Sequence, residues 1–222
     1  MKKNKLLFLV IAILMCFALV LVGCGSDPED PDDGGDNTPK VTVKRDVKVE
    51  DANLSKLLQE GKKVYVTALG QADFAYMQTI VNDALEGSEI TATVDNQLGV
   101  DGLNAGDVVI SVVGYTSKGI SAEITQTGEI ARAKALAEKE GIIFILCQLS
   151  GKERRGDSSD PIIEQAVKGA DYVFVYDADD NKGADYDQKY STVCCKDFAN
   201  LYLFSDEYDI TDYIEVLLGV SK

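Results

Sequence analysis

Two adjacent arginines stand in the segment GKERRGDSSDP, residues 151–161, of a chain whose formal net charge is −15 at pH 7. The planar guanidinium group of arginine forms paired hydrogen bonds with carboxylates and phosphates. Arg154 and Arg155 are therefore candidates to bind an anionic ligand. Ser159 and Asp160, a few residues further on, add polar groups to the same candidate site.

The same segment also has a structural interpretation. Asp160 followed by Pro161 is typical of a helix start, with aspartate as the N-cap and proline at the first helical position. The arginines would then pair with acids of their own loop, such as Glu153, Asp157 or Asp160, and brace it. The sequence leaves both interpretations open.

A second candidate loop is GYTSKGISAE, residues 114–123. Flexible backbone amides beside Gly114 and Gly119, the hydroxyl of Ser117 and the charge of Lys118 suit a carboxylate or another oxyanion. The alternative is a solvated loop with no ligand.

A third candidate loop is ALGQADF, residues 68–74, with Gly70 and Gln71 at its centre. Amides at the start of the following helix can bind an anion. The alternative is a tight turn with Asp73 as the N-cap. The loop matches neither the GxGxxG fingerprint nor a flavodoxin phosphate loop, and it lacks the paired acids of a receiver domain. We therefore expect no dinucleotide, no FMN and no other cofactor.

The chain contains no histidine. Ser-His-Asp and Cys-His catalysis, histidine general-base chemistry and histidine metal ligation are therefore excluded. No nucleophile elbow is present either, so we assign no catalytic residue and do not favour an enzyme.

Metal and thiol chemistry are also poorly supported. Residues 177–183, DADDNKG, have the first spacings of a calcium loop but depart from it later, so a solvated acidic turn is preferred and no metal is expected. Cys147 lies in an apolar run and is expected to be a buried small hydrophobe. Cys194 and Cys195 are interpreted as two ordinary thiols rather than a vicinal disulfide.

The three loops follow strands of a predicted parallel sheet. Apolar runs at 64–68, 90–94, 107–113, 142–146, 171–176 and 201–204 alternate with helical stretches at 73–85, 123–140, 161–167, 185–198 and 210–218. Continuously apolar strands are buried on both faces, and strands that alternate with helices form parallel sheets. We predict a doubly wound, flavodoxin-like sandwich of five to six strands in the order 2-1-3-4-5, with the sixth at an edge. Its ligand site would lie where the order reverses.

The N-terminal part of the chain is predicted to be an export and anchoring signal. Residues 1–23 combine a basic start with an unbroken apolar run, and the ending LVGC resembles a bacterial lipobox with Cys24 as the lipidated residue. An uncleaved membrane anchor is the alternative. Both interpretations predict that the rest of the chain lies at the extracytoplasmic face of the cell membrane.

The remainder divides into a tether and one domain. Residues 24–40 are acidic and proline-rich and are expected to be a disordered tether. Residues 41–222 would form a single α/β domain, with an arm and a short helix at 41–61 and the core at 62–222. The acidic charge of this domain disfavours nucleic acid as a partner.

The quoted loop motifs are similar to those of an uncharacterised family of exported bacterial single-domain α/β proteins, which often carry a lipoprotein signal. The resemblance runs from about Lys63 to Gly219 and implies the same fold and a site formed by three loops, with no known activity. The matching positions are Gly70, Gln71, Gly114, Ser117, Lys118, Gly119, Gly151, Lys152, Arg154, Arg155, Gly156, Ser159 and Asp160.

These observations favour a membrane-tethered module that binds a small anionic solute. The second hypothesis is a non-catalytic scaffold with a membrane protein partner, and the third is a histidine-free enzyme acting on an anionic envelope compound. Arginines that pair only with protein acids would favour the scaffold, and unpaired, convergent donors would favour the solute-binding module.

Overall fold

Seven parallel strands form one sheet in the computed structural model, which describes residues 44–116, 124–176 and 200–220, without the side chains of residues 152 and 153. The strands are β1 Lys44–Arg45, β2 Val64–Leu69, β3 Ala92–Val94, β4 Val108–Val113, β5 Ile143–Gln148, β6 Tyr172–Tyr176 and β7 Leu201–Phe204. Their spatial order is β1-β7-β6-β5-β4-β2-β3. Every neighbouring pair is parallel, so the carboxyl ends of all seven strands lie at one edge of the sheet.

The central strands are mainly apolar because both of their faces are covered. In β4, Ile110 packs into the core on one face and Val109 into the core on the other, and neither side chain is exposed. The same alternation runs through β2, β5, β6 and β7. Each buried aliphatic side chain of this size contributes about 1.5–3 kcal/mol of transfer free energy, so the two cores hold the sheet between its helices.

Four α-helices cover the sheet within the described residues: α1 Phe74–Ala84, α2 Gln126–Glu138, α3 Asp160–Ala166 and α4 Asp209–Leu218. Helices α1 and α4 bury their apolar sides in one core, and α2 and α3 bury theirs in the other. The chain is therefore an α/β protein with helices on both faces of a parallel sheet, as the alternation of apolar runs predicted.

The strand count differs from the prediction of five to six. The six predicted strands all form, in the predicted order, and the additional strand is β1. It comes from the segment interpreted as an extended arm. Its two residues pair with Tyr202 and Leu203 at the outer side of β7.

The short helix expected within residues 41–61 is assigned to LSKLLQEG, residues 54–61, and this assignment is wrong, since those residues contain no helix. The amides of Leu57 and Leu58 instead donate to the carbonyl of Leu217 at 2.8 and 3.4 Å. That carbonyl is near the C-terminus of α4, where helix carbonyls lack a donor within the helix. Leu58 is buried against the same core. Tertiary packing therefore overrides the local helical pattern.

Several predicted features lie outside the described residues. These are the export signal and tether with Cys24, the helix at 185–198, the acidic turn at 177–183, and the pair Cys194 and Cys195. Across the described part of the chain, no helix has the length and apolar character needed to span a membrane.

Candidate functional site

Three loops meet at the carboxyl edge of the sheet, and we call them the loop cluster: residues 70–73 after β2, 114–116 after β4, and 149–160 after β5. The first two loops pair like short antiparallel strands. The Ala72 amide donates to the Gly114 carbonyl at 2.9 Å, and the Thr116 amide donates to the Gly70 carbonyl at 3.3 Å. The third loop joins through Ser159, whose Oγ accepts a hydrogen bond from the Tyr115 amide at 2.9 Å. The structure therefore brings together the described parts of all three predicted loops.

The two central glycines allow these loops to approach closely. Gly70 has a φ of +92°, and a Cβ there would lie 2.6 Å from the Gly114 carbonyl oxygen. A Cβ on Gly114 would lie 3.2 Å from Ala72 Cβ and 3.3 Å from Arg154 Cβ. Packing between protein segments thus requires glycine at position 70, whereas a Cβ at position 114 would make its neighbours shift by a few tenths of an ångström. Gln71 also has a left-handed backbone, with a φ of 69°, which is uncommon for a residue with a side chain.

A buried ion pair holds the first loop, and the sequence analysis missed it. Glu129 of α2 is 3 % exposed, and its Oε2 accepts a hydrogen bond from the Gly70 amide at 2.6 Å. Arg132 donates to the same Oε2 at 2.5 Å and also to the Ala68 carbonyl. The spacing of three residues on one helix could have indicated the pair. It could not have indicated that the pair is buried. The Gly70 amide is consequently engaged by protein.

Asp73 stands at the predicted N-cap position of α1, but its side chain makes no capping bond. Its backbone is left-handed, with a φ of 60°, and Oδ2 accepts a hydrogen bond from Ser150 Oγ instead. The first amides of a helix have no acceptor within the helix. The N-terminus of α1 therefore faces the loop cluster without a side-chain cap.

Arg155 braces the third loop, as the structural interpretation expected for both arginines. Its Nε donates to Asp160 Oδ1 at 2.7 Å, and the Gly156 amide donates to the same oxygen at 2.9 Å. Asp160 is the first residue of α3, and Ser159 occupies the N-cap position without a capping bond. The Asp160 carboxylate, predicted to be the cap, instead closes a loop of five residues.

Arg154 behaves differently from its neighbour. Its Cβ packs beside Gly114, and its Nε is buried without a hydrogen-bond partner in the described structure. Buried donors of this kind are rare because each unsatisfied group costs about 1–3 kcal/mol. Arg154 is therefore the member of the arginine pair with unused hydrogen-bonding capacity.

Two further buried polar atoms in the described residues lack partners, and both lie at the same sheet edge. Gln148, the last residue of β5, is 1 % exposed and donates from Nε2 to the Gly151 carbonyl at 2.5 Å, while its Oε1 has no partner. The hydroxyl of Tyr76, in the first turn of α1, is the other. Burial, followed by the nearby carboxylate of Glu207, raises the pKa of the Tyr76 phenol above its usual value. Neither residue could be recognised from the sequence, because a polar residue that ends a strand and a tyrosine in a first helical turn carry no distinct pattern.

The remaining predicted site residues, Ser117, Lys118 and Gly119, lie outside the described residues. Within the described ranges, no group of three or more acidic or cysteine side chains could hold a metal ion. Cys147 is a free, fully buried thiol, as predicted, and burial raises the pKa of its thiol.

A separate groove lies at the opposite, amino-terminal edge of the sheet, where β2 and β3 begin. It encloses about 740 Å³, and three lysines and two glutamates are among its lining residues: Lys56, Glu60, Lys62, Lys63 and Glu89. Its charges are nearly balanced, and no unsatisfied buried atom of the described residues faces it. The loop cluster therefore remains the stronger candidate site.

The fold and the loop cluster define a parallel α/β domain with a candidate binding site at the carboxyl edge of β2, β4 and β5. Residues 61–215 match the family described as Domain of unknown function (DUF6305), and the chain belongs to that family. No curated protein and no solved structure matches the chain. The resemblance to a family without known activity is thereby confirmed, and the lipoprotein form stays a prediction.

Proposed function

We propose that the chain is an extracytoplasmic lipoprotein, anchored through Cys24, whose α/β domain binds a small anionic solute at the loop cluster. The observation that carries the proposal is the buried, unpartnered Nε of Arg154. A guanidinium group is charged at all physiological pH values and offers five donors, so an oxyanion is the ligand that satisfies it best.

The strand order supports this location. We take the domain to be flavodoxin-like, since β3-β2-β4-β5-β6 reproduces the order 2-1-3-4-5. Ligands of such sheets bind outside the carboxyl ends of the strands where the order reverses, which here is between β2 and β4. Gly70 and Gly114 follow those two strands directly.

The predicted site residues take two different roles in this proposal. Arg154 and the uncapped N-terminus of α1 would contact the anion, and Ser117, Lys118 and Gly119 would add donors from the second loop. Gly70, Gly114, Arg155, Ser159 and Asp160 would shape the loops, because their described hydrogen bonds and contacts are with protein.

Scanning calorimetry of the full-length chain in detergent, with a panel of anionic metabolites, tests the binding function. A ligand at 100 times its dissociation constant stabilises by about 2.7 kcal/mol. In a domain of this size the transition then rises by roughly 5–10 °C. We expect Arg154→Met, which keeps an unbranched side chain beside Gly114, to abolish the shift. The matched variant Arg155→Met should lower the transition temperature and retain a shift.

Anchoring is tested separately. Cells expressing the chain with an alkyne-bearing fatty acid should label it at Cys24, and Cys24→Ser should remove both the label and membrane attachment. Labelling that persists in Cys24→Ser would reject the lipoprotein form and leave the solute-binding proposal to the calorimetry.

The second candidate function, a scaffold for a membrane protein complex, is favoured by one observation. Arg155 and Asp160 close on each other, and the loop amides of Gly70, Ala72 and Tyr115 are engaged by protein. On this hypothesis no anion shifts the thermal transition of the wild type or of Arg154→Met. Crosslinking in intact membranes would instead recover a protein partner, and Arg154→Met would weaken its capture.

A further inference from the structure

The loop cluster contains an unused acceptor as well as an unused donor. Gln148 Oε1 is buried and has no partner among the described residues, in the same way as Arg154 Nε. A simple carboxylate offers only acceptor oxygens, so it can satisfy the arginine and cannot satisfy the glutamine. The ligand that pairs with both groups must carry a hydrogen-bond donor in addition to its oxyanion.

The orientation of the Gln148 amide is fixed by its neighbour. Its nitrogen faces the Gly151 carbonyl at 2.5 Å, where only an N–H group makes a favourable contact. Turning the amide over would place two oxygens against each other. The unpartnered atom is therefore the carbonyl oxygen. Because the amide bonds to Gly151, at the start of the third loop, this oxygen belongs to the loop cluster.

The charges of the loop cluster also favour a ligand that carries a hydrogen-bond donor in addition to an oxyanion. Arg155 and Asp160 pair with each other, whereas the Nε of Arg154 has no partner among the described residues, and Asp73 is the acidic residue of the first loop. The Asp73 carboxylate accepts a hydrogen bond from Ser150, whereas an ionised carboxylate has room for about four. Its negative charge beside the N-terminus of α1 would repel a ligand that is only anionic and would attract a cationic group.

We propose that the loop cluster binds a small zwitterion that carries a carboxylate and an ammonium group, as an α-amino acid does. This inference rests on the proposed solute-binding function and specifies its ligand class. The carboxylate pairs with Arg154, and the ammonium group donates to Asp73 and to Gln148 Oε1. An ammonium group has three donors and no acceptor, which matches Gln148 Oε1, unpartnered within the described residues, and an Asp73 carboxylate that accepts one hydrogen bond from protein.

Matched ligand pairs test the inference on the full-length chain in detergent. Alanine is compared with propanoate, glutamate with glutarate, and phenylalanine with 3-phenylpropanoate, each pair differing only in the ammonium group. We expect at least one amino acid to bind ten or more times more tightly than its partner in isothermal titration. The hydroxy acid lactate, compared with alanine, distinguishes an ammonium group from any donor.

Two variants locate the effect. Asp73→Asn and Gln148→Met should each weaken binding of the amino acid about tenfold or more, while binding of the matched carboxylate is unchanged or stronger. Retained carboxylate binding also shows that each variant folds. Arg154→Met should abolish binding of both.

The outcomes separate the two proposals. Equal affinity for amino acids and their carboxylates, or equal affinity for lactate and alanine, would overturn the zwitterion and leave the solute-binding function standing. Amino-acid binding that Asp73→Asn and Gln148→Met leave unaffected would overturn it as well. No binding of any carboxylate or amino acid would reject the zwitterion, and absence of a shift with the whole anion panel would reject the solute-binding function itself.

Discussion

Removal of the Glu129 charge should destabilise the domain far more than removal of a surface charge on the same helix. Glu129 and Arg132 are 3 % and 12 % exposed, and breaking a buried ion pair typically costs about 3–5 kcal/mol. Glu129→Gln retains an oxygen that can accept from the Gly70 amide, and Arg132 keeps its carbonyl acceptor at Ala68. We therefore expect the lower end, about 3 kcal/mol. A domain of this size loses roughly 2–4 °C of thermal midpoint for each kcal/mol.

The matched control is the exposed pair formed by Lys134 and Glu138 on the same helix. Its side chains are 59 % and 67 % exposed, and such pairs contribute about 0–1 kcal/mol. Glu138→Gln should therefore change the free energy of unfolding by less than about 0.5 kcal/mol. The chain contains no tryptophan, so urea unfolding is best followed by far-ultraviolet circular dichroism.

A double-mutant cycle completes the test. Arg132→Met leaves the Glu129 carboxylate buried with only the Gly70 amide, and we expect a loss similar to that of Glu129→Gln. Combining the two changes removes both charges, so the double variant should be more stable than the sum of the single losses predicts, by about 1–3 kcal/mol. Strictly additive losses, or single losses below about 1 kcal/mol, would refute the buried pair. Loosening the Gly70 loop should also weaken solute binding in each single variant.

Three further predictions follow from individual residues. Gly70→Ala should destabilise the domain by several kcal/mol because its Cβ would contact a carbonyl at 2.6 Å, whereas Gly99→Ala, with open space around it, should be within about 1 kcal/mol of wild type in urea unfolding. Burial opposes ionisation of Asp107, but hydrogen bonds from the amides of Lys63 and Asn104 outweigh burial and lower the pKa of Asp107. The contribution of Asp107 to stability is therefore present above the ordinary pKa of about 4 and is lost as the pH falls through the pKa of the folded state. Asp107→Asn should consequently cost stability at pH 7, and the difference from wild type should shrink in unfolding curves measured near pH 2; an unchanged difference would contradict the pKa argument. The buried Cys147 thiol should react with a disulfide reagent only after unfolding, so Cys147→Ala should lower the number of reactive thiols in the unfolded chain and leave that of the folded chain unchanged. A lower number in the folded chain as well would show that Cys147 is accessible.

The sheet could be predicted from the sequence because the same pattern, an apolar run followed by a helical stretch, recurs along the chain. Strands such as Val108–Val113 and Ile143–Gln148 are buried except at the half-buried Ile143, so the hydrophobic pattern alone identifies them. The right-handed crossovers of α/β units leave few possible strand orders, and the predicted order of the six strands is one of them. The strand β1 could not be predicted in this way, since two polar residues at a sheet margin leave no hydrophobic pattern.

The sequence was sufficient to predict where the loop cluster lies, but it was sufficient to predict only some of the contacts within the cluster. Gly70, Gly114 and the arginine pair were recognised because glycine and arginine are distinctive residue types at strand ends. Within the described residues, Arg155 pairs with Asp160 and the Nε of Arg154 has no partner, and this difference depends on side-chain geometry. It cannot be inferred from a sequence in which the two residues are identical neighbours. Glu129 and Asp73 owe their roles to partners far away in the sequence, whereas Gln148 bonds to Gly151, three residues further on. Long-range polar pairing of this kind has no local signature.

The marginal strand β1 determines how the domain would respond to a pulling force. Tension applied through the chain before Lys44 acts first on β1, which is joined to β7 by two paired residues and by Asp46, whose carboxylate accepts from the amide and hydroxyl of Ser205. The six-residue strands β2 and β4 are paired along their entire length in the interior of the sheet. Under load, β1 should therefore detach while β2 and β4 stay paired. The chain would lengthen by one strand before any loop of the cluster is disturbed.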